Sequence, residues 1–195
     1  MKIINLIENT EGGSGCAFAH GLSFFIETGK HKLLVDLGPS DETLKNAEKL
    51  GIDLRKVDIV ILSHGHYDHS GGIMPFSEIN NKAIIYMQKN AVDDYYSDDG
   101  IREDRERYRY IGIDKKIAEL PQVRFIDGDH TIDDELRLFT IDKRSHKLPF
   151  TNASLKLKVG DEYIQDEFSH EHYLLLNQNG KKILISGCAH NGILS

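Results

Sequence analysis

The chain has 195 residues, 39% of them hydrophobic and 28% charged, with a formal net charge of −7 and two cysteines, Cys16 and Cys188. That length suits one domain over residues 1–195 with a genuine core and is short for two. The negative balance argues against a nucleic-acid backbone as a general partner, and two cysteines are too few for a disulfide framework, although a single bridge between them stays open.

The opening stretch MKIINLIENTEGG reads as a strand followed by a glycine loop rather than a secretory leader. LSFFIET (22–28) and KLLVDLG (32–38) are successive strands joined by a TGKHK hairpin. Pro39, Ser40 and Asp41 then open a helix over SDETLKNAEKL, which Gly51 closes. KVDIVILS (56–63) and KAIIYM (82–87) are buried strands, and QKNAVDDYYS reads as helical. Residues 98–119 mix both charge signs and read as a solvated helix or insertion, with a substrate lid as the second reading. QVRFID, ELRLFTI, SLKLKVG and HYLLLNQNGKKILISG are strand-like, with Asn179-Gly180 marking a tight hairpin. Two groups of strands with helices between them predict an α/β sandwich. No run is apolar enough to span a bilayer, so a cytoplasmic protein with no membrane or nucleic-acid partner is expected.

ILSHGHYDHSGG (61–72) places three histidines and an aspartate directly after an apolar strand. In extended backbone His64 and His66 face one side, and Gly65 between them has no side chain to obstruct the approach. Asp68 and His69 lie one turn further on and present a second pair, with a hard oxygen among the imidazoles. Four donors at this density suit one divalent ion, or two sharing a hydroxide, better than a polar surface turn.

SHGHYDHSGG resembles the signature of the metallo-β-lactamase superfamily, and the likeness runs from about residue 3 to the C-terminus. DEFSHEHYLLL followed by KKILISGCAHNGI is similar to the branch of dihydropterin-ribofuranosyl-aminobenzene-phosphate synthase-like proteins, with Ala189 where that branch has Ser. The resemblance implies a four-layer αββα sandwich with a mono- or dinuclear site at one edge. It implies His64 and His66 as ligands of a first metal, Asp68 and His69 of a second, and His190 completing or bridging the site. It makes Asp36 a partner behind a ligand histidine. The expected ions are zinc, one or two, with Mn2+ or Fe2+ as alternatives. Asp68 would orient a metal-bound hydroxide toward an ester, phosphoester or related electrophile of a small molecule, a phosphorylated pterin-type or ribosyl compound being the branch's suggestion.

Other residues keep two readings. Cys188 is a thiolate ligand or a space-filler beneath His190, and His170 and His172 are ligands or polar strand residues. Asp166-Glu167-Phe168 supports the site or caps a strand. His146 with Lys143, Arg144 and Lys147 meets a substrate anion or forms a solvated loop. The branch also carries a late Gly-Gly-Phe-His ligand segment that has no match here, so either the chain is a piece of a longer one or another chain completes the second metal. A binding or regulatory module that keeps the metal without turnover is therefore the alternative function.

Overall fold

The apolar runs read from the sequence become strands in the computed structural model, which describes residues 1–12 and 15–195. They are β1 (Lys2–Ile7), β2 (Ser23–Glu27), β3 (Lys32–Val35), β4 (Ile59–Ile61) and β5 (Ile84–Gln88). With β8 (Val123–Ile126) they build a six-stranded sheet in the order β1-β2-β3-β4-β5-β8, antiparallel from β1 to β3 and parallel from β3 onward. β9 (His130–Thr131), β10 (Leu136–Phe139), β13 (Tyr173–Gln178) and β14 (Lys181–Ile185) form a second, antiparallel sheet ordered β14-β13-β10-β9. Asn179 and Gly180 both have positive φ, +53° and +73°, as a tight two-residue hairpin between β13 and β14 requires. The glycine loop expected after β1 includes Gly13, which lies outside the described residues.

Period-two alternation divides the first sheet between two cores. Leu34, Val60, Leu62, Ile85 and Met87 meet Ala47 of helix α1 (Glu42–Lys49) and, beyond the short helix α2 (Tyr67–Ser70), Ile73 and Phe76 of α3 (Ile73–Ile79). Leu33, Val35, Ile59 and Ile61 face the other way and pack on Leu136, Leu138, Leu174 and Leu176 of the second sheet. One helical layer and two facing sheets give the expected α/β sandwich and three of the four layers that the resemblance implies; among the described residues no α-helix covers the outer face of the second sheet.

Two sequence expectations are corrected. QKNAVDDYYS is not a helix: a 3-10 turn over Lys89–Val92 gives way to β6 (Tyr95–Asp98), where Tyr95 and Ser97 are buried and Tyr96 and Asp98 are not. Within 98–119 the extended piece is β7 (Tyr108–Tyr110), paired with β6, and only Lys115–Glu119 forms a 3-10 turn. Aromatic residues favour pleated surface, and Tyr96 meets both Tyr110 and Tyr163 edge-on while Tyr108 stacks on Tyr163 at 3.7 Å. β6 and β7 join β11 (Leu155–Val159) and β12 (Glu162–Gln165) in a third sheet, ordered β12-β11-β6-β7, which the sequence reading did not separate. Cys16 and Cys188 form no disulfide.

Candidate metal centre

Strands β3 and β4 end side by side, and their exits build the floor of the site. After β3, Asp36 turns the chain with φ +59° and is fully buried. Its Oδ1 accepts the Ser63 N–H, and its Oδ2 accepts both the Ser63 hydroxyl and the His69 Nδ1–H, each at 2.7 Å. The Ser63 hydroxyl, committed to Asp36 as donor, accepts from His64 Nδ1 at 2.9 Å. One carboxylate therefore orients two rings: through Ser63 it fixes His64 with a proton on Nδ1 and a bare Nε2, and it holds His69 directly by its Nδ1–H. Asp36 takes the supporting place that the family resemblance implied.

Between the first two histidines the backbone passes very close to its neighbours. A Cβ on Gly65 would lie 2.6 Å from the Ala91 carbonyl oxygen, so no other residue fits without moving the loop. The Gly65 N–H donates to His170 Nδ1 at 2.8 Å, and His170 Nε2–H donates to Asp166 Oδ2 at 3.0 Å. Both nitrogens of His170 are thus engaged within the protein, although His66, Asp166 and His170 stand close enough to form a buried donor cluster of their own.

The third histidine arrives from far along the chain. Past β14, Ala189 has φ +53° and His190 turns in above His64 and His66, with ring centroids 5.0 and 5.1 Å away. Glu171 anchors this turn, accepting the backbone N–H groups of His190 at 2.7 Å and Asn191 at 2.8 Å. Asn152 grips His190 twice: its Nδ2 donates to the His190 carbonyl, and its Oδ1 accepts from Nδ1 at 3.0 Å. Phe168 stacks flat on the imidazole at 4.6 Å.

The ring nitrogens of His64, His66 and His190 converge with every pair of donor atoms within 4.8 Å, and so do those of His64 and His69 with the Cys188 sulfur. Cys188 Sγ is 3.2 Å from His69 Nε2, while Asp68 Oδ2 lies 3.5 Å from the same nitrogen and 3.4 Å from His20 Nε2. All five residues marked by the sequence stand at one edge, but they are grouped differently. His64 belongs to both clusters, His190 joins the first, and Asp68 stands beside the second rather than inside either. His172 lies behind the site with Nδ1 against Gln88 at 3.2 Å, and His146 is on an exposed loop with Nδ1 against Ser145. Asp166 supports His170, whereas Glu167 pairs at the surface with Arg144. His20 and Asn152 carried no sequence signal, since nothing in their neighbourhoods marks them.

The three histidines of the first cluster are in the neutral state a cation requires. Burial, then the surrounding imidazoles His69, His66 and His190, depress His64; burial, then His170 and His190, depress His66. Burial and neighbouring histidines bring His190 down to about 3, and burial brings His172 to about 4. His69 differs: burial opposes its charge, but the Asp36 carboxylate outweighs it and holds the ring well above its ordinary pKa. Nε2 of His64, His66 and His190 is buried without a hydrogen-bond partner in each case. Unpartnered buried polar atoms are costly, and three in one cluster fit a divalent cation that takes imidazole nitrogen ligands.

The comparisons agree with this geometry. An uncharacterized protein of Methanocaldococcus jannaschii is 31% identical over 183 residues, covering 90% of this chain and 65% of that protein. The 7,8-dihydropterin-6-methyl-4-(beta-D-ribofuranosyl)-aminobenzene-5'-phosphate synthase of the same organism is 29% identical over 100% of this chain and 70% of its own length. The chain thus spans roughly two thirds of the length of these curated relatives. The crystal structure of a metal-dependent hydrolase of the β-lactamase superfamily is similar with a TM-score of 0.80 at 29% identity, over 98% of this chain and 67% of that one. The sequence profile of the metallo-beta-lactamase superfamily matches residues 18–190, a span that holds the strand-end aspartate, the H-x-H-x-D-H loop and His190 alike, and the chain belongs to that superfamily.

Proposed function

We propose that the chain is a single-domain, metal-dependent hydrolase that directs water onto an ester, phosphoester or related electrophile of a small molecule. The observation that carries this reading is the convergence of three neutral imidazoles from two distant parts of the sequence, two buried and the third half-buried, each with a buried, unpartnered Nε2. His64, His66 and His190 would hold one ion; His69 and Cys188, with Asp68 beside them, would hold a second. A divalent cation there supplies Lewis acidity, making hydroxide available near neutral pH and offsetting the negative charge that develops on a carbonyl or phosphoryl oxygen. Zinc suits the imidazole and thiolate donors, and Mn2+ or Fe2+ are the alternatives.

Asp68 lines a cavity of about 210 Å³ together with His66 and His190, and a neighbouring one of about 200 Å³ with His69. From there its carboxylate orients the attacking water and accepts its proton. The name of the 29%-identical relative supports a phosphorylated pterin-type or ribosyl compound as the substrate class. A cytoplasmic location belongs to the same reading; among the described residues no helix is long and apolar enough to cross a membrane.

The test is hydrolysis of phosphodiester and thioester probes by metal-loaded protein beside Asp68→Ala and His190→Ala. Asp68→Ala is expected to keep an ion at the three histidines while kcat falls by roughly 10²–10⁴. His190→Ala is expected to lose metal from the first cluster. Turnover that survives Asp68→Ala overturns the mechanism, and a fully loaded protein silent on every probe favours a binding module.

A further inference from the structure

We propose that Arg109 is an anion subsite of this centre and that the substrate presents a phosphate group to it, an inference that rests on the hydrolase reading above. Directly paired residues of an antiparallel ladder lie on one face, so the register Ser97↔Arg109 puts Arg109 on the face of Tyr95 and Ser97, which is turned inward. The chain beyond β7 is stitched to the ligand loop: Tyr67 N–H donates to the Ile111 carbonyl at 2.9 Å, and His66 bridges Gly112. The guanidinium consequently borders the cavity that His66, Asp68, Cys188 and His190 share. Its side chain is 49% exposed, so it is open to a ligand.

Arg109 is also oriented. Its Nε donates to Asp99 Oδ2 at 3.0 Å, and Asp99 is itself held by the Ser97 hydroxyl at 2.8 Å and stands 3.9 Å from Arg105. Asp99 takes the Nε side and the Tyr67 hydroxyl, which borders the same cavity, also accepts from the guanidinium; with five N–H donors the planar group still has amino hydrogens to offer an oxyanion. Among the described residues Arg109 is the one permanently charged cation lining this cavity, in a chain of net charge −7. A carboxylate would spend both oxygens on the fork. A phosphate keeps further oxygens to turn toward His66 and His190, and its second charge suits a site that pairs a guanidinium with donors that would hold a divalent cation. That difference selects phosphate.

The experiment titrates inorganic phosphate into zinc-loaded and into metal-free protein, followed by 31P NMR and calorimetry, for the wild type, Arg109→Gln and Arg109→Lys, with acetate as the competing oxyanion. Arg109→Gln is expected to weaken phosphate binding by about tenfold or more, with zinc per chain unchanged. Arg109→Lys, which keeps the charge without the fork, falls between the two and decides the question if Arg109→Gln does not fold. Acetate binds more weakly and with less dependence on Arg109. Equal phosphate affinity in the wild type and both variants, in both metal states, overturns the proposal. A protein that takes up no zinc sinks the hydrolase reading alone, because the metal-free titration still reads the part played by Arg109.

Discussion

Asp36 shows how much of the site rests on one side chain. It sits in left-handed backbone, where Asn and Asp are tolerated better than other non-glycine residues, and it receives three hydrogen bonds from Ser63 and His69. Asp36→Ala strands those buried donors and imposes the backbone strain without local compensation. It is expected to cost about 3–5 kcal/mol in urea unfolding and to weaken metal binding by about 10–100-fold in a cobalt titration. Asp36→Asn keeps the size and the backbone tolerance and is expected to fall between alanine and the wild type in both measurements. The histidines of the loop were legible in the sequence because density and spacing of donors announce a site, and Asp36 was legible only through the family resemblance of the strand end that carries it. His20 and Asn152 were not, because a lone histidine and a lone asparagine look the same on any loop.

At the scale of elements, the segment 166–172 ties the early ligand loop to the late one. Asp166 and His170 hold Gly65, the His172 N–H donates to the Ser63 carbonyl at 2.9 Å, and Glu171 holds His190 and Asn191. Tyr173 adds a hydroxyl to Glu171 at 2.9 Å, so this buried carboxylate is fully satisfied. Glu171→Gln replaces an acceptor-only group with one that also carries donors, facing two backbone N–H groups. The expected result is a zinc affinity lowered by about tenfold or more, with the far-ultraviolet dichroism spectrum retained; an unchanged affinity would show that the turn at 189–191 holds itself. The second H-x-H of the sequence makes scaffold contacts that only the folded chain reveals, His170 to Gly65 and Asp166 and His172 to Ser63 and Gln88. The β6–β7 hairpin was misread for a related reason. Charged residues of mixed sign outnumber its tyrosines, and the tyrosines find their partners only across strands.

Across the whole molecule, the two sheets are latched at the end of β3 opposite the metal centre. His31 Nδ1 meets Asp58 Oδ2 at 2.5 Å and Nε2 meets Asp133 Oδ2 at 2.9 Å, joining the β2–β3 hairpin to the β9–β10 turn. Burial opposes the imidazolium, but the hydrogen bonds it donates to Asp133 and Asp58 outweigh it and raise the His31 pKa above the ordinary value. Because the folded protein binds this proton more tightly than the unfolded chain, the latch contributes fully below about pH 6.5 and fades as pH rises through the raised folded value. The urea midpoint is expected to fall over that window in the wild type, and His31→Gln is expected to flatten this part of the pH profile. A profile of unchanged shape in the variant would remove the latch from the account of stability.

Most strands, the first helix and the H-x-H-x-D-H loop were determined by the sequence itself, since period-two burial, turn chemistry and donor spacing are local properties of the chain. Which donors converge was decided only by the tertiary structure. His64 sits between two clusters and His190 comes from more than a hundred residues away, while Cys188 lies at His69 and Arg109 leans over the same cavity. Those pairings depend on where two strand ends and a hairpin meet, and no spacing along a single chain records that distance.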